Sequence, residues 1–165
     1  MDSFVNWFVN GVGQHISAEW TVFIISMIPL IEERGGLLAA RLLEIPMWKG
    51  VIFCVLGNIV PIPFILLLIK KVLHWMADHH MGRLAGWIEA KAQKNRPKIE
   101  KYGFWGLMLF VGIPLPGAGA WTGSLVASVF DMDLKKASFS ILLGIFLAAV
   151  IMTIISYGAL GAVLG

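Results

Sequence analysis

Four charged residues stand where an apolar chain tolerates them least: Glu32, Glu33, Arg34 and Arg41. They interrupt two short apolar runs, residues 20–31 and 37–43. A charge at the centre of a membrane helix costs about 2.5–3.5 kcal/mol on insertion scales. Such charges must pair, face water or meet a charged substrate. Arg34 and Arg41 are spaced to share one face of a helix. Arginine keeps its charge and can grip phosphate or carboxylate with two parallel bonds. Glu32 or Glu33, partly withdrawn from water, could carry a proton. The functional reading is an anion-binding arginine beside a protonatable carboxylate. The structural alternative is a Glu–Arg pair that only fixes a hairpin tip.

A second stretch could bind a ligand through its backbone. Gly112-Ile113-Pro114-Leu115-Pro116-Gly117-Ala118-Gly119-Ala120-Trp121-Thr122-Gly123 lies between apolar runs too short to cross a bilayer. Pro114 and Pro116 break a helix, and Gly117, Gly119 and Gly123 allow close backbone approach. If a helix begins at Trp121 or Thr122, its free N–H groups would favour an anion. Trp121 could stack on a substrate, although packing is the commoner use of such a residue. Tight packing of small residues against another tip would need no ligand.

These stretches demand elements that carry them to membrane depth. Each reads as a helix–break–helix hairpin, broken at Pro29, Gly35 and Gly36 in one and at Pro114 and Pro116 in the other. Irregular backbone at that depth survives only when packed in protein or lining a wet cavity. The two regions also resemble each other. Trp20, Ile28, Pro29 and Leu30 align with Trp105, Ile113, Pro114 and Leu115. After a two-residue gap, Gly36, Leu38, Ala40, Lys49, Leu56 and Gly57 align with Gly123, Leu125, Ala127, Lys136, Leu143 and Gly144, and Glu44 meets Asp131. Paired, interrupted hydrophobic segments in an internal repeat point to a transporter site.

Composition agrees. Of 165 residues, 58% are hydrophobic and 14% charged, against about half and a quarter in a soluble domain. This predicts an all-α integral membrane protein of one domain, with two inverted repeats, each a re-entrant hairpin followed by a transmembrane helix. The expected divisions are an interfacial helix at 1–18, hairpin one at 19–45, and a transmembrane helix at 50–73 kinked by Pro61 and Pro63. A basic cytoplasmic segment at 74–102, hairpin two at 103–134 and a transmembrane helix at 138–162 complete the chain. Residues 70–101 hold eight of the thirteen cations, which marks the cytoplasmic side. Part of that segment could form an interfacial helix, which Pro97 would end. Ser140, Thr153 and Ser156 could bond their own backbone and demand no function.

Cys54 is the one cysteine, so no intrachain disulfide can form. The N-terminus carries Asp2 and no basic region, so no cleaved signal peptide is expected. His74, His79 and His80 lack the spacing and companions of a metal site. No nucleophile elbow, phosphate-binding loop or metalloprotease pattern occurs, so neither an enzyme nor a cofactor is expected. The basic strip is explained by topology rather than nucleic acid.

Residues 113–125, Ile-Pro-Leu-Pro-Gly-Ala-Gly-Ala-Trp-Thr-Gly-Ser-Leu, closely resemble the signature of the small multidrug export proteins of bacteria and archaea. Glu32-Glu33-Arg34-Gly35-Gly36 resembles that family's Glu-Leu-Arg-Gly-Ala-Ile-Pro motif, with Glu33 in place of the leucine and Leu38 in place of the proline. The family is similar in plan to DedA-type (SNARE-associated) membrane proteins. That resemblance implies two re-entrant hairpins and lipid-carrier translocation or proton-coupled transport. The expected function is a transporter of a lipid or small molecule with an anionic phosphate headgroup. Arg34, Arg41, Gly117, Gly119, Trp121, Thr122 and Gly123 would bind it, with Glu32 and Glu33 for proton coupling. The alternatives are efflux of small cationic drugs, with the two glutamates as binding charges, and a structural membrane protein. Membrane lipids and a homodimer or larger homo-oligomer are the expected partners, and the cell membrane the expected location.

Overall fold

The computed structural model describes residues 17–79, 81–100, 103–115 and 117–159. The interfacial helix expected at 1–18 falls outside the described residues up to residue 16, as do His80 and Pro116. Every regular element among the described residues is helical. The order is α1 Ala18–Met27, α2 Glu32–Leu42, α3 Met47–Ile59, α4 Pro61–Asp78, α5 Gly82–Glu100, α6 Gly103–Gly112, α7 Ala120–Val129 and α8 Leu134–Thr153, the last continuing as a π-helical turn, Ile154–Ala159.

Proline sets the breaks. Val60 keeps helical backbone (φ −53°, ψ −46°), and Pro61 opens α4 at a first-turn position that needs no donor. The stretch Met47–Asp78 is therefore nearly one helix of 32 residues with mean hydropathy 2.6. Leu134–Gly158 is its counterpart, with 25 residues at the same hydropathy. Both are long and apolar enough to cross a bilayer. The first runs well past Lys70 and Lys71, because Leu73 and Met76 are buried against Ala85 of α5. Pro97 lies within α5, which continues to Glu100.

In the first hairpin the turn is made by Pro29 and Leu30, with Leu30 at φ 72° and Glu32 at φ 51°. Gly35 and Gly36 are not breaks: both lie inside α2. Gly36 serves packing instead. A Cβ there would overlap Ser26 Oγ of α1 and lie 3.0 Å from Cys54 Sγ of α3.

Several positions aligned in the sequence make similar contacts. The most extensive helix–helix interfaces are α6 with α8 and α1 with α3, so the first arm of each hairpin lies on the long helix that follows it. Gly57 lets the Phe23 carbonyl approach, and Gly144 does the same for the Met108 carbonyl, 2.8 Å from where its Cβ would stand. Gly36 makes room for Ser26, and Gly123 for Val111. Each of these is a pair of aligned positions. Both second arms also end alike. Glu44 (φ 56°) and Asp131 (φ 54°) take the left-handed conformation. The Ile45 and Met132 amides then reach back to the Ala40 and Ala127 carbonyls, at 2.9 and 3.0 Å, which is the Schellman closure.

Polar side chains tie the helices together. Ser140 Oγ donates to the Phe104 carbonyl at 2.6 Å, bonding α6 rather than its own helix. Lys49 bridges to Glu19 at 3.2 Å, and Lys70 pairs with Asp131. The buried core gathers Leu107, Val111, Val126, Ile141 and Ile145.

Gly57→Ala and Gly144→Ala should each destabilise the protein by about 1–3 kcal/mol, since rigid backbone occupies the space. Gly86→Ala, where nothing lies within 4 Å, should instead be neutral or stabilising by up to about 1 kcal/mol. Thermal unfolding in detergent checks this, and an unaffected Gly57→Ala would contradict the close approach.

Candidate functional site

The tips of the two hairpins meet. α7 begins at Ala120, one residue before the earlier of the two expected starts, with Gly119 as its N-cap. A helix start leaves N–H groups without partners and carries a partial positive charge. The anion expected there is present and comes from the protein itself. Glu32 Oε2 accepts from the Ala120 amide at 3.0 Å, and Oε1 accepts from Trp121 at 3.1 Å. Only 4% of Glu32 is exposed. Gly119, at φ 147°, must lack a side chain twice over: a Cβ would also stand 2.7 Å from Glu32 Cδ.

Arg34 completes the grip one turn away. Its two terminal nitrogens donate to the Leu115 carbonyl at 2.7 Å and the Ile113 carbonyl at 3.3 Å. Both carbonyls lie in the turn around Pro114, where they also accept the Leu115 and Ala118 amides at 2.7 and 3.1 Å, and a guanidinium fork suits such a pair. Trp121 Nε1 returns a bond to the Met27 carbonyl at 3.2 Å, at the end of α1. Residues from both tips thus satisfy each other's open backbone.

The expected site residues divide. Glu32, Arg34, Gly119 and Trp121 come together in this interlock. Thr122 is buried on α7. Gly123 sits under Val111 in the α6–α7 packing. Gly117 takes φ 76° in the break, with open space around it. Arg41 lies at the far end of α2, about 10 Å along the axis from Arg34 at 1.5 Å per residue, where its charge is felt by Tyr157. It does not join the tips. Among the described residues no cluster of histidine, cysteine and carboxylate could hold a metal.

Glu33 points elsewhere. It is 1% exposed and faces Asn58, also 1% exposed. The sequence marked Asn58 only as an interruption of an apolar run, yet an amide in such a run was the available signal.

An apolar groove flanks the interlock. On one side a cavity of about 230 Å³ is lined by Pro29, Leu30, Ile65, Ile69, Trp121 and Leu125, among others. A second, of about 400 Å³, shares Ile65, Ile69 and Trp121 and extends along α4 past Phe64 and Leu68. Spacing along the chain could not reveal it, because its walls come from both hairpins and α4.

Arg34→Lys keeps the charge but cannot reach both carbonyls, and should lower unfolding stability by about 1–2 kcal/mol. Glu32→Ala should cost about 1.5–3 kcal/mol, leaving two amides unpaired. Equilibrium unfolding in mixed micelles measures both, and unchanged stability in Glu32→Ala would remove the interlock.

A family profile described as "Putative small multi-drug export protein" matches residues 32–151, a span that contains both tips. No curated protein and no solved structure matches the chain. The two long apolar helices together with this match mark a membrane protein. The chain belongs to the small multi-drug export protein family.

Proposed function

We propose that the protein is a multi-pass transporter that exports small lipophilic molecules along the groove beside the interlocked tips. The observation that carries this reading is the groove itself. Its walls are almost wholly apolar, and Leu30 (70% exposed) and Phe64 (62%) stand exposed along it. Apolar walls with three aromatic side chains, Phe64, Trp87 and Trp121, suit a lipophilic substrate that enters sideways from the bilayer. The family description supports export. Neither glutamate lines the groove, so apolarity rather than positive charge selects the substrate.

The architecture we propose is the inverted one. Hairpins re-enter from opposite faces and meet near the midplane, with the basic segment around α5 on the cytoplasmic side of the cell membrane. Exposed Trp20, Trp48, Trp75, Trp87 and Trp105 suit interfacial belts. A chain this small would shield two polar tips best as a homo-oligomer. Proton coupling through the buried carboxylates fits this arrangement.

Translocation of a lipid with a phosphate headgroup, as in DedA-type proteins, is a second reading. It is favoured by Arg34, which is half-exposed at the tip beside the groove. Its cost is visible: Glu32 already fills the anion position at α7, and a headgroup would have to displace it. A purely structural role would need only the interlock.

Transport in proteoliposomes separates these readings, using a neutral lipophilic dye, a lipophilic cation and a labelled polyprenyl phosphate. Export of the dye and the cation, abolished by Leu125→Trp in a folded protein, is the expected result. Movement of the phosphate lipid alone would favour the second reading, and no transport of any probe by folded wild type would leave the structural role.

A further inference from the structure

Two buried acceptors without donors stand together in the first repeat. The Asn58 side chain lies against the Glu33 carboxyl, near enough to interact with it. An amide donates only through its nitrogen, so the Asn58 NH₂ group can serve one carboxyl oxygen. The remaining two atoms, Glu33 Oε2 and Asn58 Oδ1, are both buried and have no partner. Two unmet acceptors cost roughly 1–3 kcal/mol each.

The surroundings offer only a weak donor, the Cys54 thiol. Ser26 Oγ gives its proton to the Val22 carbonyl at 2.9 Å. Gly36 and Gly57 bring α1 and α3 too close for another side chain. The titratable and charged groups that face Glu33 are Glu32 and Arg34 of its own helix and Cys54 of α3. Glu32 is spent on α7 and Arg34 on the Ile113 and Leu115 carbonyls. Neither α1 nor α8 presents a titratable group to it among the described residues, and Tyr157 of the π-helical turn donates to the Ile45 carbonyl instead. Two free oxygens are too few for a metal cation, which takes six or more when calcium-like and a near-octahedral set when magnesium-like.

One proton satisfies both orphans. We propose that Glu33 is a neutral carboxylic acid whose O–H donates to Asn58 Oδ1, closing a two-bond acid–amide ring, and that this pair is the protein's proton-binding site. The bond formed is O–H on Glu33 Oε2, the proton comes from water, and the charge removed is that of the carboxylate. Glu33 is where this sequence departs from the leucine of the motif it resembles. The inference deepens the transport reading by naming its coupling group, but the acid–amide ring stands whether or not the protein transports.

Infrared spectroscopy of the reconstituted protein tests it without an activity. Wild type at neutral pH should show the C=O stretch of an un-ionised carboxylic acid. That band should be lost in Glu33→Gln, kept in Glu32→Gln, and displaced in Asn58→Leu. Glu33→Gln, whose amide can donate to Asn58 as the acid does, should unfold at nearly the wild-type temperature. Should Glu33→Gln fail to fold, ¹³C-labelled glutamate in wild type and Glu33→Asp gives the same assignment, the band shifting between the two. A band that is absent from wild type at neutral pH, or that persists in folded Glu33→Gln, overturns the proposal. If the band behaves as expected while dye export is absent, the proton site stands and the transport reading falls.

Discussion

The structure depends on one carboxylate at one helix start. α7 begins within apolar surroundings, where free N–H groups have no water to meet them. Glu32 closes the first two of them and places a negative charge against the positive end of the helix. The requirement is mutual. A buried carboxylate is expensive unless it is paired and hydrogen-bonded, and α7 supplies what Glu32 needs. Arg34 repeats the exchange in the other sense, donating to two carbonyls of the turn at Pro114. Gly119 is the geometric condition for all of this, because any side chain there would displace Glu32.

This interlock divides the polar residues into distinct tasks. Glu32, Arg34 and the Trp121 indole hold the two halves together. Glu33, next in sequence to Glu32, points to a different side of α2, toward Asn58 and Cys54. The groove around Trp121 contains almost no polar surface. Tip closure, the buried Glu33–Asn58 pair and the groove therefore rest on largely different residues. Trp121 is the residue shared between closure and groove, since its indole bonds α1 while its ring lines both cavities.

Much of the fold was legible because membrane chains obey few rules. Hydropathy placed both long helices, and the alignment of Gly57 with Gly144 and of Glu44 with Asp131 anticipated matched contacts and matched helix ends. The breaks were less legible. Gly35 and Gly36 looked like turn residues, but Pro29 already makes the turn, and Gly36 is there so that α1 and α3 can approach α2. Glu32, Arg34 and the Gly117–Gly123 region were identified as a unit of charge and backbone. Their partners were not, because Glu32 could equally have faced a ligand, and no spacing rule says which helix start a carboxylate will reach. Asn58 was visible only as a flaw in an apolar run until Glu33 was found against it.

Amide hydrogen exchange at Ala120 and Trp121 tests the central claim most directly. In wild type in micelles both amides should exchange slowly, as groups bound to a buried carboxylate do. In Glu32→Ala they should exchange at the rate of an uncapped helix start, while amides deeper in α7 and throughout α8 stay protected. Fast exchange at Ala120 and Trp121 in wild type, or slow exchange that survives the loss of Glu32, would contradict the account.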